Sequence, residues 1–212
     1  MLLAIDTCGV TGTIALGQWD GARMTVLAEA ELAAKTFSAQ LIPRLRELLR
    51  ERSATVQDLR TIVVVNGPGS FTGVRVGVGA AKGLAEALAV PVIALSRLEL
   101  LARKAGTEAA AIDAGRGEFY FLHREEGGSA EFLLSADAAG EYAGEPIAVF
   151  EASLAQHWAG TRLVAPPSAT DALLGAIPRL RAKEFDDIVT LDGNYVRRSD
   201  AELFAKPVTG RR

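Results

Sequence analysis

The sequence has few side chains that bind transition metals or act as thiol nucleophiles: one cysteine and two histidines in 212 residues. A lone Cys8 excludes an internal disulfide, and a catalytic thiol would need a neighbouring base that the sequence does not show. His123 and His157 do not form a His-x-x-x-His pair, so a zinc site made of histidine and cysteine is not expected. We therefore predict neither a metal nor a cofactor.

Positive charge is also scarce, since 23 Lys and Arg are outweighed by 26 Asp and Glu, for a net charge of -3. Proteins that hold nucleic acid by themselves neutralise phosphates with lysine and arginine, so any role on nucleic acid is expected to need a basic partner. The start, MLLAIDTCGV, has no basic segment before Asp6, and we predict neither a signal peptide nor a membrane span there. A cytoplasmic protein is expected.

Strand-like segments and amphipathic helices follow one another in the same order twice, the second time less regularly. The segment from Ala4 to Gly9 also aligns with the segment from Ala111 to Arg116. Duplication explains both observations, and duplicated βββαβαβ units are typical of the actin, hexokinase and Hsp70 (ASKHA) superfamily. We predict an α/β protein with two ribonuclease H-like lobes, residues 1–105 and 106–212.

A glycine-rich segment, NGPGSFTGVRVG at residues 66–77, lies between a predicted strand and a predicted long helix. Phosphate-binding P-loops carry a lysine that this segment lacks. The spacing from Gly67 to Gly69 and Gly73 is one residue too long for the G-x-G-x-x-G dinucleotide pattern, and Pro68 removes a backbone donor. Ser70 lies where serine hydrolases place their nucleophile, but neither histidine has the context of its base.

Small residues mark two faces of the helix predicted from Phe71 to Leu88. Gly73, Gly77, Ala81 and Ala85 form one stripe, and Gly79, Gly83 and Ala87 form a second. Four glycines weaken a helix by roughly 3 to 4 kcal/mol relative to alanine, so close approach of another backbone is expected in return. We predict that one stripe lies on the protein's own sheet, and that the other pairs with a neighbour beside the leucine row of the helix from Ser38 to Arg52.

Closely similar segments occur in the TsaB (YeaZ) family, which this chain resembles from the first strand to Lys206. The segments that carry the resemblance are residues 66–77, Leu3 to Thr7 (LAIDT), Lys82 to Ala85 (KGLA), Ala111 to Ala114 (AIDA), Gly117-Glu118 and Tyr195 to Arg197 (YVR). The resemblance implies an actin-like fold and a role in making threonylcarbamoyladenosine next to the anticodon of tRNA. It implies a non-catalytic subunit that pairs with a TsaD-like catalytic paralogue, joined by a TsaE-like ATPase.

The resemblance also implies site residues. Asp6 and Asp113, with Gly69 and Ser70, stand where related kinases and ATPases contact phosphate, in surroundings poor for ATP, and are interpreted as vestigial. No catalytic residue is expected. The partner interface is expected at Leu41, Leu45, Leu48, Gly73, Val74, Gly77, Val78, Ala81 and Leu84. Phe37 and Gly193 depart from the family pattern.

Alternative interpretations stay open. The same faces could form a homodimer when the paralogue is absent. A stand-alone ATP-dependent kinase or ATPase of the same superfamily would use Asp6 and Asp113 near magnesium and phosphate, and a peptidase would use Ser70. The basic end of the chain is expected to be a solvated tail, with direct contact to tRNA as the alternative; its residues are Arg197, Arg198, Lys206, Arg211 and Arg212. Otherwise tRNA is reached through the complex.

Overall fold

The structure is a computed structural model that describes residues 1–125 and 127–196. The basic chain end from Arg197 to Arg212, and with it the predicted tail, lies outside the described residues. No helix in the described part of the chain combines the length and the hydropathy needed to cross a membrane.

The first lobe is built on a five-stranded mixed sheet. Its strands are β1 (Leu2–Asp6), β2 (Gly12–Trp19), β3 (Met24–Leu32), β4 (Thr61–Val65) and β5 (Val92–Leu95), in the order β3-β2-β1-β4-β5. The first three strands form an antiparallel meander, and β4 and β5 run parallel to β1. Every residue of β1 and β4 is buried, as expected for near-continuous apolar strands covered on both faces.

The second sheet repeats this topology. Its strands are β6 (Ala109–Gly115), β7 (Glu118–Glu125), β8 (Gly128–Ser135), β9 (Ile147–Val149) and β10 (Arg162–Leu163). Their order, β8-β7-β6-β9-β10, again joins an antiparallel meander to two parallel strands. The predicted α/β fold with two lobes of one topology is confirmed.

Within residues 1–125 and 127–196, five α-helices cover the sheets: α1 (Phe37–Glu51), α2 (Phe71–Leu88), α3 (Arg97–Ala105), α4 (Ala169–Gly175) and α5 (Ile177–Ala182). The sequence also predicts a weak helix near Asp137 and a helix near Ser153, and the structure has 3-10 helices at both places, Ala136–Tyr142 and Ala152–Gln156. Apolar spacing predicts a single helix from Ser168 to Lys183, but the structure has two helices there, α4 and α5, which are separated at Ala176. Pro178 has no N–H to donate to the carbonyl group four residues before it.

Two helices pack on the lobe to which the predicted boundary did not assign them. Leu98, Leu101 and Ala102 of α3 share a buried cluster with Ile112 of β6 and its neighbours in the second sheet. Conversely, α4 contributes to the core of the first lobe and packs on β1 and β2; its buried residues there are Ala169, Ala172 and Leu173. The strands divide near residue 105, but the helices do not, so the division into 1–105 and 106–212 is corrected for residues 97–105 and 169–182.

The chain then returns across the first lobe. Asp186 bridges to Val92 at the sheet edge, and the Lys82 Nζ donates to the carbonyl oxygen of Leu191 at 2.9 Å. The backbone N–H of Asn194 donates to the carbonyl oxygen of Asn66 at 2.7 Å. Residues 186–195 therefore tie the end of the described chain to the glycine-rich loop.

This exchange of helices predicts how two adjacent leucines of α4 respond to truncation. Leu173 is fully buried in the first core, whereas Leu174 is 40% exposed. Leu173→Ala should lower the free energy of unfolding by about 2 to 3 kcal/mol, and Leu174→Ala by less than about 0.5 kcal/mol. Urea unfolding of both variants measures the difference. Equal effects would contradict packing of α4 on the first lobe.

Candidate functional site

The glycine-rich loop lies directly on the first turn of the chain. The backbone N–H of Ser70 donates to the carbonyl oxygen of Cys8 at 2.8 Å, and the Thr7 Oγ1 donates to the carbonyl oxygen of Gly73 at 2.6 Å. A Cβ atom at Gly69 would overlap the Cys8 carbonyl group, and one at Gly73 would overlap that of Thr7. These glycines allow two backbone segments to touch. This contact accounts for the glycine-rich sequence, so a phosphate site is not needed to explain it.

The two acidic residues predicted as equivalent have different surroundings. Asp6 is 3% exposed, and its Oδ1 accepts from the backbone N–H of Cys8 at 2.8 Å. Asp113 is exposed, and its Oδ1 accepts from Gly115 N at 2.7 Å. The same local turn thus follows β1 and β6, as duplication predicts. Burial raises the pKa of Asp6, although the nearby charge of Arg97 opposes the shift.

The raised pKa of Asp6 predicts a pH dependence of stability. The folded state holds the Asp6 proton more tightly than the unfolded state, whose pKa is near 3.8. Stability contributed by this group is therefore greatest below that value and falls as the pH rises above it. Asp6→Asn, which cannot ionise, should lose less stability than the parent chain as the pH rises from about 4 toward neutrality. Urea unfolding across this range measures the difference; parallel curves would contradict the assignment.

A cavity of about 760 Å³ separates the lobes around these turns. Gly69, Ser70 and Asp113 line it, whereas the buried Asp6 does not. Two further lining residues, Arg97 at the start of α3 and Glu151 after β9, were not predicted. An arginine at a helix start ordinarily predicts an exposed side chain, so a single sequence carries no signal for either residue.

Neither histidine lines this cavity, and Ser70 has a structural role. The Ser70 Oγ accepts from the backbone N–H of Gly73 at 3.3 Å and caps α2. The His123 Nε2 lies 2.8 Å from a carboxylate oxygen of Glu145, and the His157 ring packs against Phe119. Within residues 1–125 and 127–196, no cluster of three or more histidine, cysteine, aspartate or glutamate side chains could hold a metal ion.

Most residues predicted for the partner interface lie inside the first lobe. All except Leu84 are buried, and they face the core: Leu41, Leu45, Leu48, Gly73, Val74, Gly77, Val78 and Ala81. A Cβ atom at Gly77 would overlap the Thr7 hydroxyl group. The residue assignment is therefore corrected, because the stripe that contains Gly73 and Gly77 packs on the protein's own first strand and turn. Leu84 is partly buried between this stripe and the surface.

The second stripe of α2 faces outward. Gly79, Gly83 and Ala87 are exposed, and no heavy atom lies within 4 Å of a Cβ atom built on Gly79 or Gly83. Phe71, at the start of the helix, is 43% exposed, and Ile42 on the neighbouring helix α1 is 37% exposed. A cavity of about 380 Å³ borders this surface between α2 and residues 189–195. We refer to Gly79, Gly83 and Ala87 as the open stripe.

Comparison with known proteins identifies the family. Residues 29–159 match the family model described as TsaD, tRNA N6-adenosine threonylcarbamoyltransferase. The tRNA threonylcarbamoyladenosine biosynthesis proteins TsaB of Bacillus subtilis and Escherichia coli are 43% identical over 124 residues and 37% identical over 135 residues. The chain belongs to this family, in its TsaB (YeaZ) branch. These alignments cover 56% and 60% of the chain, which spans about half the length of the curated relatives that it matches (52% and 57%).

A solved structure of YeaZ from Pseudomonas aeruginosa extends the likeness to both lobes. It has a TM-score of 0.74 and is 27% identical, with 92% of this chain and 98% of that chain covered. A second structure from the same organism, described as similar to peptidase YEAZ, has a TM-score of 0.75 at the same identity. The resemblance to the TsaB (YeaZ) family stated from the glycine-rich segment is confirmed.

Proposed function

We propose that this chain is a non-catalytic subunit of an assembly that makes threonylcarbamoyladenosine on tRNA. It pairs with a TsaD-like catalytic paralogue through α1 and α2, a TsaE-like ATPase joins the assembly, and tRNA is bound through the complex. Without the paralogue, two copies pair through the same surface. The curated TsaB relatives, named for biosynthesis of this nucleoside, support the pathway.

The open stripe is the observation that carries the pairing. A glycine inside a helix costs about 0.8 to 1 kcal/mol relative to alanine, so Gly79 and Gly83 together cost roughly 2 kcal/mol. At the buried stripe, close packing of the glycines on the first turn offsets this loss of stability. Gly79 and Gly83 have no such contact, because no atom lies where a Cβ atom would be placed. A helix of a second protein, packed closely on Gly79 and Gly83, would offset the loss of stability at these positions.

The surroundings of the cleft support a non-catalytic role. A kinase of this superfamily would need both acidic turns accessible to magnesium and phosphate, but Asp6 is buried and already accepts a backbone hydrogen bond. A peptidase would need a base beside Ser70, whose hydroxyl group instead caps α2. Calorimetry with Mg-ATP tests the kinase alternative, since micromolar binding with release of phosphate would contradict the proposal.

Reconstitution tests the proposal as a whole. The chain, the TsaD-like paralogue and the TsaE-like ATPase are combined with tRNA and threonylcarbamoyl adenylate, and the modified adenosine is measured by mass spectrometry. We expect no product from the chain alone and much more product from the full set than from the set that lacks this chain. Product from the chain alone would contradict the non-catalytic role, and equal product with and without the chain would contradict its participation.

A further inference from the structure

The guanidinium group of Arg97 lies on the wall of the interlobe cavity without an anion beside it. The side chain is 5% exposed, and its Nε is buried with no hydrogen-bond partner. Its only hydrogen bond to a described residue is a long one, from Nη1 to the Cys8 carbonyl oxygen at 3.4 Å. No carboxylate oxygen among residues 1–125 and 127–196 lies within the 4 Å of an ion pair with it.

A buried guanidinium group that has no ion pair is unfavourable, and the contacts that Arg97 does make are weak: the Cys8 carbonyl oxygen at 3.4 Å and the Phe150 ring, 5.0 Å from its Cζ. A carboxylate or phosphate bound in the cavity would complete its hydrogen bonds. Asp6 and Glu151 act on Arg97 from a distance, but neither carboxylate forms an ion pair with the guanidinium group. The arginine fork is suited to two parallel hydrogen bonds from one carboxylate or phosphate. The free Nε is one of the donors that such a pair uses.

The rest of the cavity is suited to a small molecule that is largely apolar. Ile112, Tyr120 and Phe150 line it, and the Phe150 ring lies 5.0 Å from the Cζ of Arg97. The Oε2 of Glu151, which also lines the cavity, is buried without a hydrogen-bond partner. Burial raises the pKa of Glu151, which favours the protonated form that can donate to a ligand oxygen.

We propose that the interlobe cavity binds a small organic monocarboxylate, whose carboxylate accepts hydrogen bonds from Arg97 and whose apolar part lies against Ile112, Tyr120 and Phe150. The carboxyl group of Glu151 donates to a ligand oxygen. A polyphosphate fits this cavity poorly, because Arg97 and Lys35 are the only cations among the described residues of the lining and Asp113 would repel further negative charge. This ligand site is additional to the proposed pairing and does not depend on it.

Titration with benzoate, acetate, inorganic phosphate and Mg-ATP tests the proposal. Binding to the purified chain is followed by calorimetry and by amide chemical shifts. Benzoate should bind saturably and more tightly than acetate, phosphate or Mg-ATP, and the largest shift changes should fall on residues around the proposed contacts, namely 8–10, 97, 112–115, 120 and 150–151. Arg97→Met should weaken benzoate binding at least about tenfold, since it removes the charge-assisted bonds. Arg103→Met, on the exposed side of the same helix, makes the same charge change and should leave binding unaltered.

The shift changes of the parent chain keep the test decisive if Arg97→Met does not fold. Saturable benzoate binding that maps to the cavity supports the site. Absence of saturable binding, shift changes elsewhere on the surface, or equal weakening by both arginine variants would overturn it. Tighter binding of phosphate or Mg-ATP than of benzoate would overturn the assignment of a monocarboxylate.

Discussion

Gly73→Ala is expected to lower the free energy of unfolding by about 3 to 5 kcal/mol, a large part of the 5 to 15 kcal/mol typical of a domain. The new Cβ atom would overlap the backbone carbonyl group of Thr7, which cannot move aside as a flexible side chain would. A shift of α2 away from the first turn would also stretch the hydrogen bond that Thr7 donates to the carbonyl oxygen of Gly73. Urea or thermal unfolding of the purified variant measures the loss.

The same substitution at Gly83 provides the matched control. A Cβ atom there meets nothing within 4 Å, so Gly83→Ala should raise the free energy of unfolding of the isolated chain by about 0.8 to 1 kcal/mol through helix propensity alone. Opposite signs at two positions of one helix would establish which side packs on the sheet. A loss at Gly83 as large as that at Gly73 would refute the assignment of the two stripes.

Gly83→Arg is expected to weaken pairing with the TsaD-like paralogue about 100-fold or more. A long charged side chain on the open stripe would hold the two helices apart and leave a charge to be desolvated between them, at a cost of roughly 3 kcal/mol or more. The isolated variant should fold, because Gly83 is exposed and its surroundings are open. Calorimetry or surface-based binding with the purified paralogue measures the affinity.

Gly144→Arg provides a control with the same change in size and charge. Gly144 is exposed on the second lobe, and a Cβ atom built on it has open space around it. The affinity of the Gly144→Arg variant for the paralogue should equal that of the parent chain. Pairing that survives Gly83→Arg, or that Gly144→Arg weakens equally, would remove the open stripe from the interface.

The element order was predictable from the sequence because hydrophobic periodicity and turn residues are local signals. The apolar run from Ile62 to Val65 is typical of a strand, and α2 begins and ends at the predicted residues Phe71 and Leu88. The single helix predicted from residue 168 is interrupted before Pro178. The predicted lobe boundary does not hold for the helices, because α3 packs on the second sheet and α4 packs on the first. Which sheet a helix covers depends on chain packing that no local pattern encodes.

The site was predictable only in outline. The two small-residue stripes of α2 were visible in the sequence, but their spacing could not tell which one faces the sheet, since both consist of residues without bulk. The structure shows which stripe faces the sheet, because Thr7 lies against Gly73 and Gly77. Arg97 was missed because burial of a charged side chain is exceptional, and the cavity that it lines forms only when segments distant in sequence come together.

A structure of this chain bound to the TsaD-like paralogue tests the central claim most directly. The account predicts that Gly79 and Gly83 lie in van der Waals contact, within about 4 Å, of a helix of the paralogue, while Gly73 and Gly77 remain against Thr7. A complex in which Gly79 and Gly83 face solvent and the paralogue sits elsewhere on the chain would contradict it.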